Sequence, residues 1–103
     1  MFTEITDDTL DAHVASGLSM VLYYKDRCPF CKAMEKIIVK FSAMPDIKTR
    51  TIRYCRINRE TNPKTVEKFA VTRTPTVIIF RDGRQLACKS GDVTYKELER
   101  MIG

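Results

Sequence analysis

The sequence predicts an α/β domain, a mixed central sheet flanked by helices on both faces, with its elements in the order βαβαβαββα. Two observations carry this. Apolar, β-branched or aromatic runs such as "LSMVLYYK" and "TPTVIIF" alternate with segments whose apolar residues recur at three- and four-residue spacing. The last such run is followed by the tight turn "RDG" and the short partner "RQLACKS", a hairpin, before a final helical segment. Strands alternating with helices and closing in a hairpin and helix imply a mixed sheet covered on both sides. Strands joined through helices are expected to run parallel, with right-handed crossovers.

Each element has its own signals. A first strand is placed around Phe2 to Ile5. Thr6 and Asp7 are the expected caps of a short helix through Leu10 and Val14, which Gly17 stops. "LSMVLYYK" then reads as a buried strand. In "KAMEKIIVKFSAM", Met34, Ile37, Ile38 and Phe41 mark one face of a helix. Pro29 suits the first turn of that helix, where its missing N–H has no intrahelical partner, and Pro45 lies just beyond its end. "RTIRYCRIN" is a second long strand. "ETNPKTVEKFAV" opens as a proline-bearing turn and continues with Val66, Phe69 and Ala70 at helical spacing. In "TYKELERMI", Thr94 and Glu97 have capping-box spacing, and Leu98, Met101 and Ile102 form the apolar face.

With 103 residues, 44% hydrophobic and 30% charged, the chain fits one globular domain spanning 1–103. Its opening, "MFTEITDDTLDAHV", lacks the basic start and long apolar run of a signal peptide, so the cytoplasm is the expected compartment. The apolar run Val77 to Phe80 is far too short to span a membrane. The net charge of +5 includes the series Arg50, Arg53, Arg56 and Arg59. On a strand, Arg53 shares a face with Thr51 and Cys55 while Arg50 and Arg56 point the other way, so the series makes no single patch. No stacking aromatics interleave with it, which argues against nucleic-acid binding.

The chemistry centres on "KDRCPFCKAMEK", residues 25–36, with two cysteines three apart. Cys28 is placed at the N-cap or first turn of a helix, where free N–H groups and the helix dipole favour an anion. Lys25, Arg27 and Lys32 add positive charge against Asp26. An unperturbed thiol near pKa 8.5 is only about 3% ionised at pH 7, and one near 6.5 is about 75% ionised. Cys28 is therefore the expected nucleophile. Cys31, one turn on, is placed to attack the mixed disulfide that Cys28 forms with a substrate. Pro29 and Phe30 limit the freedom of the loop between them.

Two structural readings compete with this. A zinc site needs two more ligands, but Cys55, Cys88 and His13 each stand alone in their elements. A static disulfide would close a very small loop and constrain little. In a reducing compartment a close cysteine pair points to catalysis or metal binding rather than a staple. Cys55 and Cys88, on strands among apolar neighbours, are expected to be buried core residues. His13 is expected to be partly solvated. Of Tyr23 and Tyr24, one is expected in the core and the other at the site's border.

These residues resemble the thioredoxin superfamily over nearly the whole chain. "CPFC" at a strand-to-helix junction carries the resemblance, with "RTPT" ahead of an apolar strand further on. The resemblance implies a thioredoxin fold in which Pro75 is cis and lies against the cysteine pair. It implies that the backbone of Thr74 pairs with an extended substrate segment, and that Gly91, in "KSGD", sits in the loop closing the substrate groove. "ITDDTLDAHV", "RINRETNP" and "TPTVIIFRDGRQL" resemble thioredoxin itself, whereas "YYKDRCPFCKAME" is similar to glutaredoxin, with Lys25 three residues before the first cysteine. Thioredoxin's usual Trp-Cys-Gly-Pro-Cys is absent, and Leu22 stands where that family has a buried acid. Cys31 then loses its proton to water, to Cys28 or to another group, Glu35 being a lesser candidate.

The expectation is a thiol–disulfide oxidoreductase that reduces protein disulfides through Cys28 and Cys31, as a monomer with no bound cofactor. Electrons would come from a thioredoxin reductase or a thiol pool. The alternative is a glutathione-dependent glutaredoxin, with Lys25, Thr74, Pro75 and Asp92 holding the glutathione and Arg27 offering charge to its carboxylates. A further rival is a redox-sensitive binding module that keeps the fold.

Overall fold

The computed structural model describes residues 1–103. Its elements are β1 (Thr3–Ile5), α1 (Leu10–Val14), β2 (Leu18–Tyr24), α2 (Pro29–Ser42), α3 (Pro45–Lys48), β3 (Ile52–Asn58), α4 (Pro63–Lys68), β4 (Thr76–Arg81), β5 (Arg84–Ser90) and α5 (Tyr95–Ile102). The predicted order holds, with one addition: Pro45 opens the short helix α3 instead of only closing off α2. The strands form one sheet in the order β1-β3-β2-β4-β5.

Strand β2 is at the centre, and alternation along it divides the core in two. Leu18, Met20 and Leu22 face a cluster with Met34, Ile38 and Phe41 of α2 and Leu98 and Ile102 of α5. Val21 and Tyr23 face the opposite cluster, with Leu10 and Val14 of α1 and Ile78 and Phe80 of β4. Both faces of the strand are therefore buried, with Ser19 the one short polar residue in an otherwise apolar or aromatic segment. No helix is long and apolar enough to cross a membrane.

Strands β1, β2 and β3 run parallel, as expected of strands joined through helices. The step from β3 through α4 to β4 breaks that expectation, because β4 runs antiparallel to β2. After α4 the chain enters β4 from the edge at which β2 and β3 end, with Thr76 beside Tyr23. The cysteine pair and the start of β4 are brought to that same edge.

Local expectations met mixed outcomes. Cys28 is the N-cap of α2 and Pro29 its first residue. Thr94 and Glu97 form the full capping box of α5. The turn at Asp82 and Gly83 has positive φ at both residues, the geometry that lets a two-residue hairpin follow the twist of its strands. Thr6 and Asp7, by contrast, do not cap α1 through their side chains. The Thr6 carbonyl accepts the N–H groups of Thr9 and Leu10, and Thr9 is the N-cap. The Asp7 carboxylate instead accepts the backbone N–H groups of Lys64 and Thr65 and the Thr65 hydroxyl, which caps α4 from a distant part of the chain. Ala70 is not on the apolar face of α4; it adopts φ 53 beyond the helix end. There it lets Val71 N–H donate to the Val66 carbonyl, as residues after a helix commonly do.

Candidate active site

Strand β2 ends at Tyr24, and after three residues Cys28 opens α2. Its Sγ accepts the backbone N–H of Cys31 at 3.2 Å, taking the place of the oxygen that usually caps a helix. The two sulfurs are joined as a disulfide, with Cα atoms 5.2 Å apart. Both cysteines are buried as residues, yet both line a cavity of about 330 Å³ with Tyr24, Lys25, Asp26, Arg27, Lys32, Glu35 and Arg56. Lys25 and Arg27 therefore line the cavity that holds the cysteine pair. Phe30, between the two cysteines in sequence, is 69% exposed, free of the core and outside this cavity.

The second half of the site comes from the segment before β4. The Thr74–Pro75 bond is cis, and the Thr74 hydroxyl lies 3.9 Å from Cys28 Sγ. Gly91 N–H donates to the Pro75 carbonyl, which ties the end of β5 to this turn. Gly91 has φ 80, and a Cβ there would come within 3.1 Å of the Arg73 guanidinium. Arg73, Thr74, Pro75, Gly91, Asp92 and Phe30 share a depression of about 250 Å³. The structure places Lys25 and Arg27 in one hollow with the cysteine pair and Phe30, Thr74, Pro75, Gly91 and Asp92 in the other, while Pro29 lines neither.

The position opposite the missing acid is occupied differently. Leu22 is fully buried in the core, and its register partner on β3 is Arg56. The Arg56 guanidinium donates to Glu35 and to Glu4, each at 2.7 Å, and lies over the Tyr24 ring at 4.9 Å. The Tyr24 hydroxyl completes the network by donating to Glu4. Bonding to Glu35 is the main reason that the Arg56 pKa is raised, so this cation is fixed at every physiological pH. Burial and the hydrogen bond to Glu4 push Tyr24 up to about 12, so it stays a neutral donor.

The tyrosines divide as the sequence suggests. Tyr23 is in the core, donating to Thr65, while Tyr24 borders the cavity. Arg53 and Arg56 point to opposite sides of the sheet: Arg53 donates to the Ser16 carbonyl and Arg56 to Glu35. His13 is half-buried and lines neither hollow. Cys55 is buried, which pushes its thiol pKa up. Cys88 is not the core residue expected of it; it is exposed. Helix α5 packs on the face of β5 that carries Ala87, and Cys88 points to the other face at the sheet's outer edge. No group of three His, Cys, Asp or Glu side chains is gathered anywhere in a metal-binding cluster.

Arg73 and the Glu4–Arg56–Glu35 network were the site features hardest to find from sequence. Arg73 had only its place beside "TPT" to mark it. The network joins residues 4, 24, 35 and 56, and no local spacing connects them.

Comparison with known proteins agrees with this geometry. The family model described as Thioredoxin matches residues 1–103. The thioredoxin of Chlamydia pneumoniae is 32% identical over 81% of this chain and 78% of that protein. That of Staphylococcus saprophyticus is 29% identical over 78% of this chain and 74% of that protein. A solved structure of a mutant thioredoxin from Halobacterium salinarum superposes with a TM-score of 0.80 over 96% of this chain and 85% of that chain. At 20% identity, that last likeness speaks for the fold alone.

Proposed function

The chain belongs to the thioredoxin family and is a thiol–disulfide oxidoreductase that reduces protein disulfides; on that premise we propose the role of each site residue and the source of the electrons. Cys28 is the nucleophile. The observation that carries this assignment is its place as N-cap of α2, with Sγ already accepting the Cys31 N–H. In the reduced protein the same N–H and the helix dipole would stabilise a Cys28 thiolate, with Lys25, Arg27 and Lys32 lending charge.

The reaction proceeds by two exchanges. The Cys28 thiolate attacks one sulfur of the substrate disulfide, forming a mixed disulfide and releasing the other sulfur as a thiolate that takes up a proton. Cys31, deprotonated in turn, attacks Cys28 Sγ. The mixed disulfide breaks, the second substrate sulfur leaves and is protonated, and Cys28 and Cys31 are left oxidised as a disulfide. The substrate has gained two electrons and two protons.

Cys31 has no acid on β2 to take its proton, since Leu22 is apolar and buried. Glu35 shares the cavity with both sulfurs and is held there by Arg56, so it serves as the nearby carboxylate, with cavity water as the carrier. Pro75 and Thr74 form the wall over Cys28. The Thr74 backbone precedes β4 and lies outside the sheet ladder, where it pairs with an extended substrate segment. Gly91 and Asp92 border the same groove, and Phe30 meets the substrate at its rim.

The protein works without a resident cofactor, as a monomer in the cytoplasm, and is recharged by an NADPH-dependent thioredoxin reductase. The thioredoxin family match supports that donor over glutathione. One comparison tests it: reduction of a protein disulfide with thioredoxin reductase and NADPH, against reduction of a small mixed disulfide with glutathione. Turnover in the first assay is expected. Turnover only with glutathione would overturn the donor and favour Lys25 and Arg27 as glutathione-carboxylate ligands.

A further inference from the structure

The cysteine cavity does not end at α2. Lys32 and Glu35 line it on one side and on the other line a second groove of about 540 Å³, with Met1, Phe2, Lys36, Val39 and Lys40. The two hollows therefore meet across one helical turn. Lys32, Lys36 and Lys40 stand at i, i+4 and i+8, all exposed along one stripe of α2. The protein's ion pairs are Arg56 with Glu4, Arg56 with Glu35, and Lys89 with Glu97, so none of the three lysines is neutralised. Glu35, the carboxylate that lines both hollows, is committed to Arg56.

Such a stripe works against the helix that carries it. Like charges four residues apart repel, and Lys32 lies in the first turn, where the helix dipole disfavours a cation. Only Lys40, in the last turn, has the dipole in its favour. Six cationic side chains and two carboxylates line the joined hollows, in a chain whose net charge is only +5. Val39, 45% exposed, gives the outer groove an apolar floor beside the lysines.

We propose that this groove docks an acidic segment of the protein substrate, a stretch of Asp and Glu lying along α2 while the substrate's disulfide sits at Cys28. Charge complementarity selects the occupant, and continuity with the cysteine cavity says which part of the substrate is presented. From Cys28 to Lys40 is about 18 Å along the helix. An extended chain covers that in about five residues, so the acidic residues lie within about five positions of the reactive cysteine. The proposal rests on the oxidoreductase reading above and adds a substrate preference to it.

The test uses the reduced full chain in single-turnover experiments with two disulfide-linked peptides. One carries four Glu within five residues of its cysteine; in the other those Glu are Gln. The Glu peptide is expected to react faster by on the order of tenfold at low ionic strength, the advantage shrinking as salt screens it. Lys36→Glu/Lys40→Glu, which changes no residue of the cysteine cavity, should abolish or invert that preference. Its rate on the Gln peptide should stay within about twofold of the parent's, since the chemistry is untouched. Lys36→Gln/Lys40→Gln guards against misfolding of the charge-reversed protein and should fall between the two. Equal rates of the parent on both peptides, or an equal loss on both in the variants, would overturn the docking proposal and leave the oxidoreductase reading intact. Binding of phosphatidylglycerol vesicles that needs Lys36 and Lys40, without any peptide preference, would also overturn it, assigning the face to lipid. Failure of the parent to react with either peptide would instead overturn the roles given to Cys28 and Cys31, and this proposal with them.

Discussion

Asp7 shows how one residue can be read correctly in kind and wrongly in place. It has the chemistry of a helix cap, and it caps a helix, but the helix is α4 and not the adjacent α1. Asn62 returns the bond by accepting the Asp7 N–H, so the two segments are tied together in both directions. No local rule reports a partner more than fifty residues away. Burial tends to raise the Asp7 pKa, but hydrogen bonds from Thr65 and Lys64 outweigh it and hold the carboxyl below its ordinary range. Asp7→Ala should therefore destabilise the fold by about 1 kcal/mol at neutral pH. Because the folded pKa is depressed, this contribution is complete above the unfolded value, near 3.9, and is lost as pH falls through the folded value. Denaturation of parent and variant from pH 7 to pH 2 should show the gap closing at the acid end. The cysteines allow a second check at this scale. In the oxidised native protein a neutral alkylating reagent should modify Cys88 and spare Cys55 until the protein unfolds, since only Cys88 is exposed. The sequence suggested burial for both because strand position alone does not tell a central strand from an edge.

Helices α2 and α5 were legible because their signals are local: Pro29 and the Cys28 cap for one, the Thr94–Glu97 box for the other. Helix α4 was harder, since its end is set by a backbone conformation that alanine does not advertise. Ala70 adopts a left-handed φ of 53, where its Cβ is unfavourable. Ala70→Gly removes that penalty, and the residue is exposed, so no packing is lost. The change should stabilise the protein by about 1 kcal/mol, a rise in Tm of about 4–8 °C. An unchanged or lowered Tm in calorimetry would mean that glycine's added freedom in the unfolded chain outweighs the relieved strain. The hairpin was equally readable at "RDG", but the irregularity between Ile79 and Phe80, which leaves Leu86 without a register partner, has no marker in the sequence.

Over the whole molecule, the two-faced sheet follows from the apolar run Met20–Tyr24 of β2, and β4 runs back from the edge at which β2 and β3 end. That reversal lets "TPT" meet "CPFC": it brings residue 74 to the edge where Cys28 opens its helix. Strand β2 is enclosed between β3 and β4, and β5 forms the outer edge. Native-state hydrogen exchange should accordingly find the amides of Val21 to Tyr23 among the most protected and those of Leu86 to Cys88 exchanging well before global unfolding. Uniform protection across all five strands would contradict this placement of the core.

The account depends most on the division of labour between the two cysteines at that edge, which the site's geometry suggests and which can be measured directly. Reduced Cys28→Ser and Cys31→Ser proteins are each mixed with an oxidised protein substrate and followed by intact mass. Cys31→Ser is expected to accumulate a covalent adduct with substrate, joined through Cys28 and released by dithiothreitol. Cys28→Ser is expected to form no such adduct and to turn over no substrate. Normal disulfide reduction by Cys28→Ser would contradict the account.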